Sequence, residues 1–151
     1  MTSSGPRDAA TRKADSLALL KTEAIDAWVA TASTEGVPHL VPLSLLWRDD
    51  SAVIALPEST LTARNIVATG RARLGVGSTR DVVLVDAVLH SSIDVGSDES
   101  LADAYAAQAD WDPRGAEGYV YLILRPERVQ AGREAKETVG RTLMRDGSWV
   151  V

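Results

Sequence analysis

The sequence predicts a mainly β protein, built as a closed or half-closed antiparallel barrel of six or seven strands with two or three short helices inserted. Three observations favour this class. Apolar runs rich in Val, Ile and Leu follow one another through tight turns. A parallel doubly wound sheet needs a helix after nearly every strand, and the sequence lacks that alternation. The length of 151 residues suits a single domain with its own hydrophobic core.

Residues 1–14 are small, polar and charged, which predicts a disordered tail followed by a single domain over residues 15–151. Asp15 or Ser16 is a candidate N-cap for a short first helix, because either side chain can accept a hydrogen bond from a free helix amide. The tail lacks the apolar core of a secretory signal, and no apolar stretch approaches the roughly 20 residues of a membrane helix. These features predict a soluble cytoplasmic protein.

The next segments predict a hairpin, a strand and a helix. Residues 27–47 contain two apolar runs on either side of Gly36, which supplies the turn of the hairpin. The run AVIALP, Ala52–Pro57, predicts a further strand. A short helix is expected from about Leu61 to Thr69, and it should end at Gly70 because glycine accepts the left-handed conformation that closes a helix.

The second half predicts another hairpin, a second helix and the closing strands. Residues 71–93 contain two strands, and a helix is expected to start at Ser97. After the loop WDPRGAEG, the apolar run over residues 119–132 predicts a strand. Residues 141–151 predict the last strand, bent at Asp146–Gly147.

The amino-acid composition excludes or disfavours several classes of function. The formal net charge is −5 and the basic residues are dispersed, which disfavours a nucleic-acid partner. Because the chain has no cysteine, disulfides, thiolate zinc sites and thiol nucleophiles are excluded. His39 and His90 are the only histidines and stand far apart in the sequence, so we expect no metal site.

The segment STLTARNI suggests an anion site at the start of the helix. If Thr60 is the N-cap, the amides of Leu61, Thr62 and Ala63 are among the helix donors that lack partners, and such a helix start can receive a phosphate. Arg64 stands in the first turn, where a cation opposes the helix dipole by roughly 0.3–1 kcal/mol unless an anion lies between them. An occupied site would therefore explain Arg64.

A simpler interpretation of the same residues stays open. Thr60 then does no more than cap the helix, since threonine is a common N-cap. Arg64 in that case is solvated or pairs with Glu58.

The order of several segments resembles the flavin-binding split-barrel superfamily related to pyridoxamine 5′-phosphate oxidase. These segments are EGVPHLVPLSLLW, LPESTLTARNI, TRDVV and GRTLMRDGSW, and the resemblance runs from about Ala27 to Trp149. It implies an antiparallel split barrel that forms a homodimer, with FMN bound at the subunit interface. Some actinobacterial branches use the deazaflavin coenzyme F420 instead. The resemblance also implies a cofactor phosphate at the helix start described above.

Carried over position by position, the resemblance implies thirteen cofactor-binding residues. They are Val41, Pro42, Leu43 and Ser44 beside the flavin ring, Leu56 and Pro57 at the ring and ribityl chain, Thr60, Thr62 and Arg64 near the phosphate, Asn65 at a polar helix position, Arg80 and Asp81 near the ring edge, and Arg141 as a C-terminal arginine that reaches the cofactor.

Three departures from the family pattern bear on activity. Thr62 stands where the family has a phosphate-binding lysine, and Arg64 is the nearest replacement. Gly132 stands where an aromatic wall is expected. The oxidases' Arg-x-His substrate motif is replaced by Glu137 and Val139, so no cation is present there and Glu137 should repel a substrate phosphate. We therefore expect no true pyridoxamine phosphate oxidase activity.

The resemblance implies a flavin-dependent reductase or oxidase acting on a small, unidentified organic substrate. Because the cofactor carries the chemistry, the sequence is expected to show no catalytic acid, base or nucleophile of its own. A deazaflavin reductase is the near alternative, with Arg71, Arg73 and Arg80 forming a cationic groove for that cofactor's acidic tail. A flavin-binding module without turnover and an empty barrel dimer are the remaining alternatives.

Overall fold

Nine strands and three α-helices make up the part of the chain that the structure describes, residues 5–151 of a computed structural model. The strands are β1 (Asp26–Ala32), β2 (Pro38–Ser44), β3 (Leu46–Arg48), β4 (Ser51–Pro57), β5 (Arg71–Ser78), β6 (Asp81–Asp94), β7 (Tyr119–Arg133), β8 (Thr142–Arg145) and β9 (Ser148–Trp149); the helices are α1 (Ala9–Leu20), α2 (Leu61–Thr69) and α3 (Glu99–Ala109), and a 3-10 turn spans Ala135–Glu137.

All strands pair antiparallel in one sheet, in the order β2-β1-β5-β6-β7-β4-β3, with β8 and β9 attached to β7. The order ends at β2 on one side and at β3 on the other. The long strands β6 and β7 form the centre, and their pairing shifts register at Asp86/Ala87 and Leu89/Ser91. Such bulges bend a strand and increase its twist. The arrangement confirms the predicted class, an antiparallel barrel that is split along one seam.

Alternating side chains of the strands form the main core. In β1, in β5 and in the first half of β6, alternate residues are buried, as Val29, Leu74 and Val85 illustrate. Strand β4 differs because Ala52 to Leu56 are all buried. One face of β4 joins the main core, whereas the other packs with Tyr105 of α3 in a second cluster. Helix α3 therefore covers the outer side of β4 and β7, which explains the unbroken apolar run in β4.

The count of six or seven strands is too low, for two local reasons. The apolar run ending at Trp47 is divided at Leu45, so that β2 and β3 are separate strands. At the other end of the chain, Asp146 and Gly147 both have positive φ, 52° and 79°, and form a tight turn between β8 and β9. The sequence predicts one bent strand in this segment, whereas the structure has a small hairpin formed by β8 and β9.

The first helix begins earlier than expected. Helix α1 starts at Ala9 and is capped by Asp8, whose side chain accepts a 2.7 Å hydrogen bond from the Thr11 amide. Asp15 and Ser16 therefore lie inside the helix and do not cap it. Residues 9–14 of the expected tail are helical, and the expected domain start at residue 15 falls within α1; residues 1–4 lie outside the described residues.

Within residues 5–151, none of the helices combines the length and the apolar character needed to cross a membrane.

Candidate ligand cavity at the seam of the barrel

A cavity of about 660 Å³ lies where strand β2, the end of β4 and the start of helix α2 meet. Its size is typical of small-molecule and cofactor sites. It is lined by Val41, Pro42, Leu43 and Ser44 of β2, by Leu56 and Pro57 of β4, by Thr60, Leu61 and Thr62 at the start of α2, and by Asp26, His39, Ala55, Trp111 and Tyr119. Because β2 and β3–β4 are the two ends of the sheet, this cavity occupies the seam of the split barrel.

Eight of the thirteen residues expected at a cofactor line this one cavity. They come from three separate stretches of sequence, residues 41–44, 56–57 and 60–62. The stretches meet because β2 is one end of the sheet, β4 lies next to the other end, and α2 follows β4 directly. The remaining five, Arg64, Asn65, Arg80, Asp81 and Arg141, do not line it.

Helix α2 has the bounds and the caps that the sequence predicts. The hydroxyl of Thr60 accepts a 3.3 Å hydrogen bond from the Ala63 amide and donates a 2.8 Å bond to the Pro57 carbonyl. Gly70 closes the helix with φ 74°. The helix itself offers no acceptor to the amides of Leu61 and Thr62, and both residues line the cavity. The proton of the Thr60 hydroxyl is already donated to Pro57, so at the start of the helix these two amides, rather than that hydroxyl, are left to donate to a ligand.

Arg64 and Asn65 have other environments. The Arg64 side chain is exposed, and within residues 5–151 it forms no ion pair with Glu58 or with any other carboxylate. This placement agrees with the simpler interpretation, in which the arginine is solvated. Asn65 is buried and its side-chain amide donates a 3.1 Å hydrogen bond to the Thr31 hydroxyl. Asn65 thus fastens α2 to β1.

Arg80, Asp81 and Arg141 lie away from the cavity, around the start of β6 and the 3-10 turn. The carbonyl of Arg80 accepts a 3.0 Å bond from the Glu134 amide, and Asp81 pairs with Arg133 at 3.0 Å. Arg141 lines a separate, smaller cavity of about 180 Å³. Within one chain, these three residues do not join the residues of β2, β4 and α2.

The lining of the cavity at the seam of the barrel contains no lysine or arginine. Asp26 and His39 are the only acidic or basic residues in its lining. Thr62, at the position of the family's lysine, is buried and contributes a neutral wall. An anion placed here would therefore be held by backbone amides and hydroxyls rather than by a cation.

Two aromatic residues of this cavity could not be selected from the sequence. Trp111 follows the end of α3, and Tyr119 begins β7. Their ring centroids lie 5.7 Å apart with an interplanar angle of 76°. The only sequence signal was that the chain has four tryptophans, any of which could flank a planar ligand. The sequence of the loop WDPRGAEG does not indicate which strand the loop packs against.

Glu137 is not free to repel an anion, contrary to the expectation from the sequence. Its side chain is fully buried and pairs with Arg7 at 2.8 Å and with Arg12 at 3.4 Å. The hydrogen bonds from Arg7 hold the pKa of the carboxyl below its usual value. The neighbouring Gly132 has little room, since a Cβ at this position would lie 3.0 Å from the Glu137 carbonyl oxygen. A tryptophan could stand at residue 132 only if the 3-10 turn moved.

A surface groove of about 930 Å³ runs along β5 and contains two of the three arginines expected to hold an acidic tail. Arg71 pairs with Glu127 at 3.3 Å, and Arg73 forms a two-pronged pair with Asp86, its cross-strand partner. The Asp86 side chain thus lies on the outer side of the barrel. Arg80 does not line this groove.

The fold and the seam cavity define a split barrel of the type found in pyridoxamine 5′-phosphate oxidase-like proteins. Solved structures with this fold that resemble the chain include an F420 reductase, with 18% identity over 74% of this chain and 93% of that chain and a TM-score of 0.60. A candidate pyridoxamine 5′-phosphate oxidase from Listeria innocua has 13% identity, coverages of 79% and 96% and a TM-score of 0.62. The heme storage protein HutZ from Vibrio cholerae has 14% identity, coverages of 81% and 96% and a TM-score of 0.64. No family model and no curated protein matches the chain.

Proposed function

We propose that the seam cavity binds the ring of a flavin-type cofactor, with FMN as the first candidate, and that the protein is a cytoplasmic oxidoreductase acting on a small organic molecule. One observation carries the proposal. Three stretches that the resemblance places at a flavin, residues 41–44, 56–57 and 60–62, converge on a single cavity of about 660 Å³. The similarity in fold to an F420 reductase supports the same class of chemistry.

The lining residues suit the ring of such a cofactor better than its phosphate. The apolar walls of β2 and β4, together with Trp111 and Tyr119, suit a flat ring. A phosphate would meet the amides of Leu61 and Thr62 at the start of α2. Because no lysine or arginine lines the cavity, the ring rather than the phosphate should supply most of the affinity.

The cofactor, when bound, would supply the hydride or electron transfer. The residues of this chain would hold the ring, exclude water and shape the space for the substrate. The chain has no cation at residues 137 and 139, where the oxidases bind the phosphate of their substrate, and Glu137 is used internally. For this reason the proposal excludes true pyridoxamine phosphate oxidase activity.

We also propose that the protein works as a homodimer through the outer face of β1 and β2. Trp28 is 54% exposed and Leu40 58% exposed, and both lie on this face together with Pro42, the cross-strand partner of Trp28. A contiguous exposed apolar patch commonly marks an interaction surface. Because Pro42 also lines the cavity, a second chain seated here would approach the bound ring and could bring its own copies of Arg80, Asp81 and Arg141.

A deazaflavin cofactor is the second candidate. The groove along β5 contains Arg71 and Arg73 and could receive an acidic tail, although each arginine already has a carboxylate partner. Titration of the purified protein with FMN and with coenzyme F420, followed by cofactor fluorescence, compares the two. Saturable binding of either one, followed by reduction with a nicotinamide donor, supports the proposal. Bound cofactor that no donor reduces favours a binding module without turnover. Binding of neither cofactor overturns the proposal.

A further inference from the structure

We infer that Trp111 is the residue that recognises the flat ring of the ligand, as a stacking wall supplied by the loop after α3. This inference rests on the proposed function, because it concerns the same cavity. It adds a specificity-determining residue and a ligand class, namely planar conjugated rings.

Trp111 is placed to contact a ligand. It lines the seam cavity together with the stretches from β2, β4 and α2, and it is 37% exposed. Most large apolar side chains in the described part of the chain are buried, so a tryptophan that lines an open cavity leaves apolar ring surface in contact with water. A flat ring bound in the cavity would cover that surface.

Two tyrosines hold the Trp111 ring in place. Tyr105, which is fully buried, contacts it edge to face with centroids 6.1 Å apart and an interplanar angle of 81°. Tyr119 contacts it with centroids 5.7 Å apart and an angle of 76°. The ring is therefore fixed before any ligand binds, which lowers the entropic cost of using it as a wall.

The loop that carries Trp111 is itself anchored to helix α3. Asp110 ends the helix in the left-handed conformation, with φ 59°. Arg114, three residues beyond Trp111, pairs with Asp103 of α3 at 2.8 Å and with Asp112 of the loop at 2.8 Å. These contacts fix the loop from Asp110 to Arg114 and make Trp111 part of a preorganised wall.

The rest of the lining favours flat rings over anionic groups. The cavity is bordered by Leu56 and Pro57 and by β2 residues 41–44, and it contains no lysine or arginine. Stacking and apolar contact are then the main attractive forces available to a ligand. An uncharged planar ring should bind nearly as well as its phosphorylated form.

The experiment measures binding of three planar probes, riboflavin, FMN and hemin, to the wild-type protein and to Trp111→Ala, Trp111→Phe and Trp149→Phe. Trp149 is the matched control because it lies on β9, outside the cavity lining and outside the proposed dimer face of β1 and β2. We expect Trp111→Ala to raise the Kd of each ring that binds by roughly five- to tenfold, and Trp111→Phe to stay within about twofold. Because Trp28, Trp47 and Trp149 also emit, the fraction of protein fluorescence that a bound riboflavin or FMN quenches should fall in Trp111→Phe without being lost, and should change less in Trp149→Phe.

The outcomes separate the inference from the proposed function. Wild-type affinity in Trp111→Ala, or unchanged quenching in Trp111→Phe, overturns the role of Trp111 while flavin binding stands. Trp111-dependent binding of hemin alone supports the role and overturns the flavin proposal. If no probe binds the wild-type protein, both are overturned. The Trp111→Phe quenching measurement decides the question if Trp111→Ala does not fold.

Discussion

The guanidinium of Arg7 and the carboxylate of Glu137 form a two-pronged ion pair across 130 positions of sequence, with distances of 2.8 Å from Nε to Oε1 and 3.0 Å from Nη2 to Oε2. Arg12 completes the cluster, since its guanidinium lies 3.4 Å from Glu137 and donates to the Gly140 carbonyl at 2.7 Å. These contacts attach the segment from Arg7 to Arg12 to the turn that precedes β8.

Replacing Glu137 by Gln should destabilise the protein by about 1–3 kcal/mol at pH 7, because the buried Arg12 loses its carboxylate partner while Arg7 keeps Asp15. The pKa of Glu137 is lowered in the folded state, so its contribution is complete above the ordinary value of 4.5 and is lost as the pH falls through the folded value. Urea unfolding of both proteins from pH 7 down to pH 3 measures this difference.

The matched control is Glu134→Gln, which changes an exposed glutamate on the same segment and should alter stability by no more than about 0.5 kcal/mol. A stability difference between the wild type and Glu137→Gln that is absent at pH 7, or that stays constant as the pH falls below 4.5, contradicts the account of this cluster.

The sequence was sufficient to predict the features that depend on residues close together in the chain. The bounds of α2 and its closing Gly70 followed from a threonine cap and a glycine stop, and the hairpins followed from apolar runs around turn residues. Three stretches of the cavity were likewise identified from motif order. Contacts between distant segments could not be predicted this way. Nothing near residues 7–14 indicates a partner at Glu137, so the sequence predicts a tail where the structure has a helix.

Trp111 illustrates the same limit at the cavity. Its neighbours in sequence are polar loop residues, and its neighbours in space are Tyr105 and Tyr119, which the sequence places on separate elements. Arg64 is a different case, since its role at a ligand stays a prediction. Its position in the first turn suggested an anion, whereas the structure leaves its side chain exposed and outside the cavity.

Introducing a lysine at Thr62 should convert the cavity into a stronger phosphate site. Thr62 is buried on the cavity wall at the start of α2, and a lysine there would place an ammonium group beside the free helix amides. We expect Thr62→Lys to tighten FMN binding by about tenfold, to leave riboflavin binding unchanged, and to make FMN affinity depend on salt. Parallel titrations of both ligands at two salt concentrations measure this.

Arg64→Ala serves as the comparison on the same helix. Because Arg64 does not line the cavity, its removal should change FMN affinity by less than about twofold. A loss of tenfold or more would show that Arg64 holds the phosphate, and the description of a cation-free cavity would then be wrong.

Dimerisation through β1 and β2 is tested by Trp28→Glu, which places a charge in the centre of the exposed apolar face. We expect the wild-type protein to sediment as a dimer and Trp28→Glu as a folded monomer. Val67→Glu is the control, since Val67 is 63% exposed on α2, away from that face. A monomeric wild-type protein, or a dimer that survives Trp28→Glu, counts against this interface.

The most direct test is the absorption spectrum of the protein as isolated, together with mass spectrometry of any small molecule released on denaturation. We predict a yellow protein that releases FMN or a deazaflavin, or a colourless one that acquires the flavin spectrum when FMN is added. A colourless protein that leaves the spectra of both cofactors unchanged, or one that releases heme, would contradict the assignment of the seam cavity to a flavin-type ring.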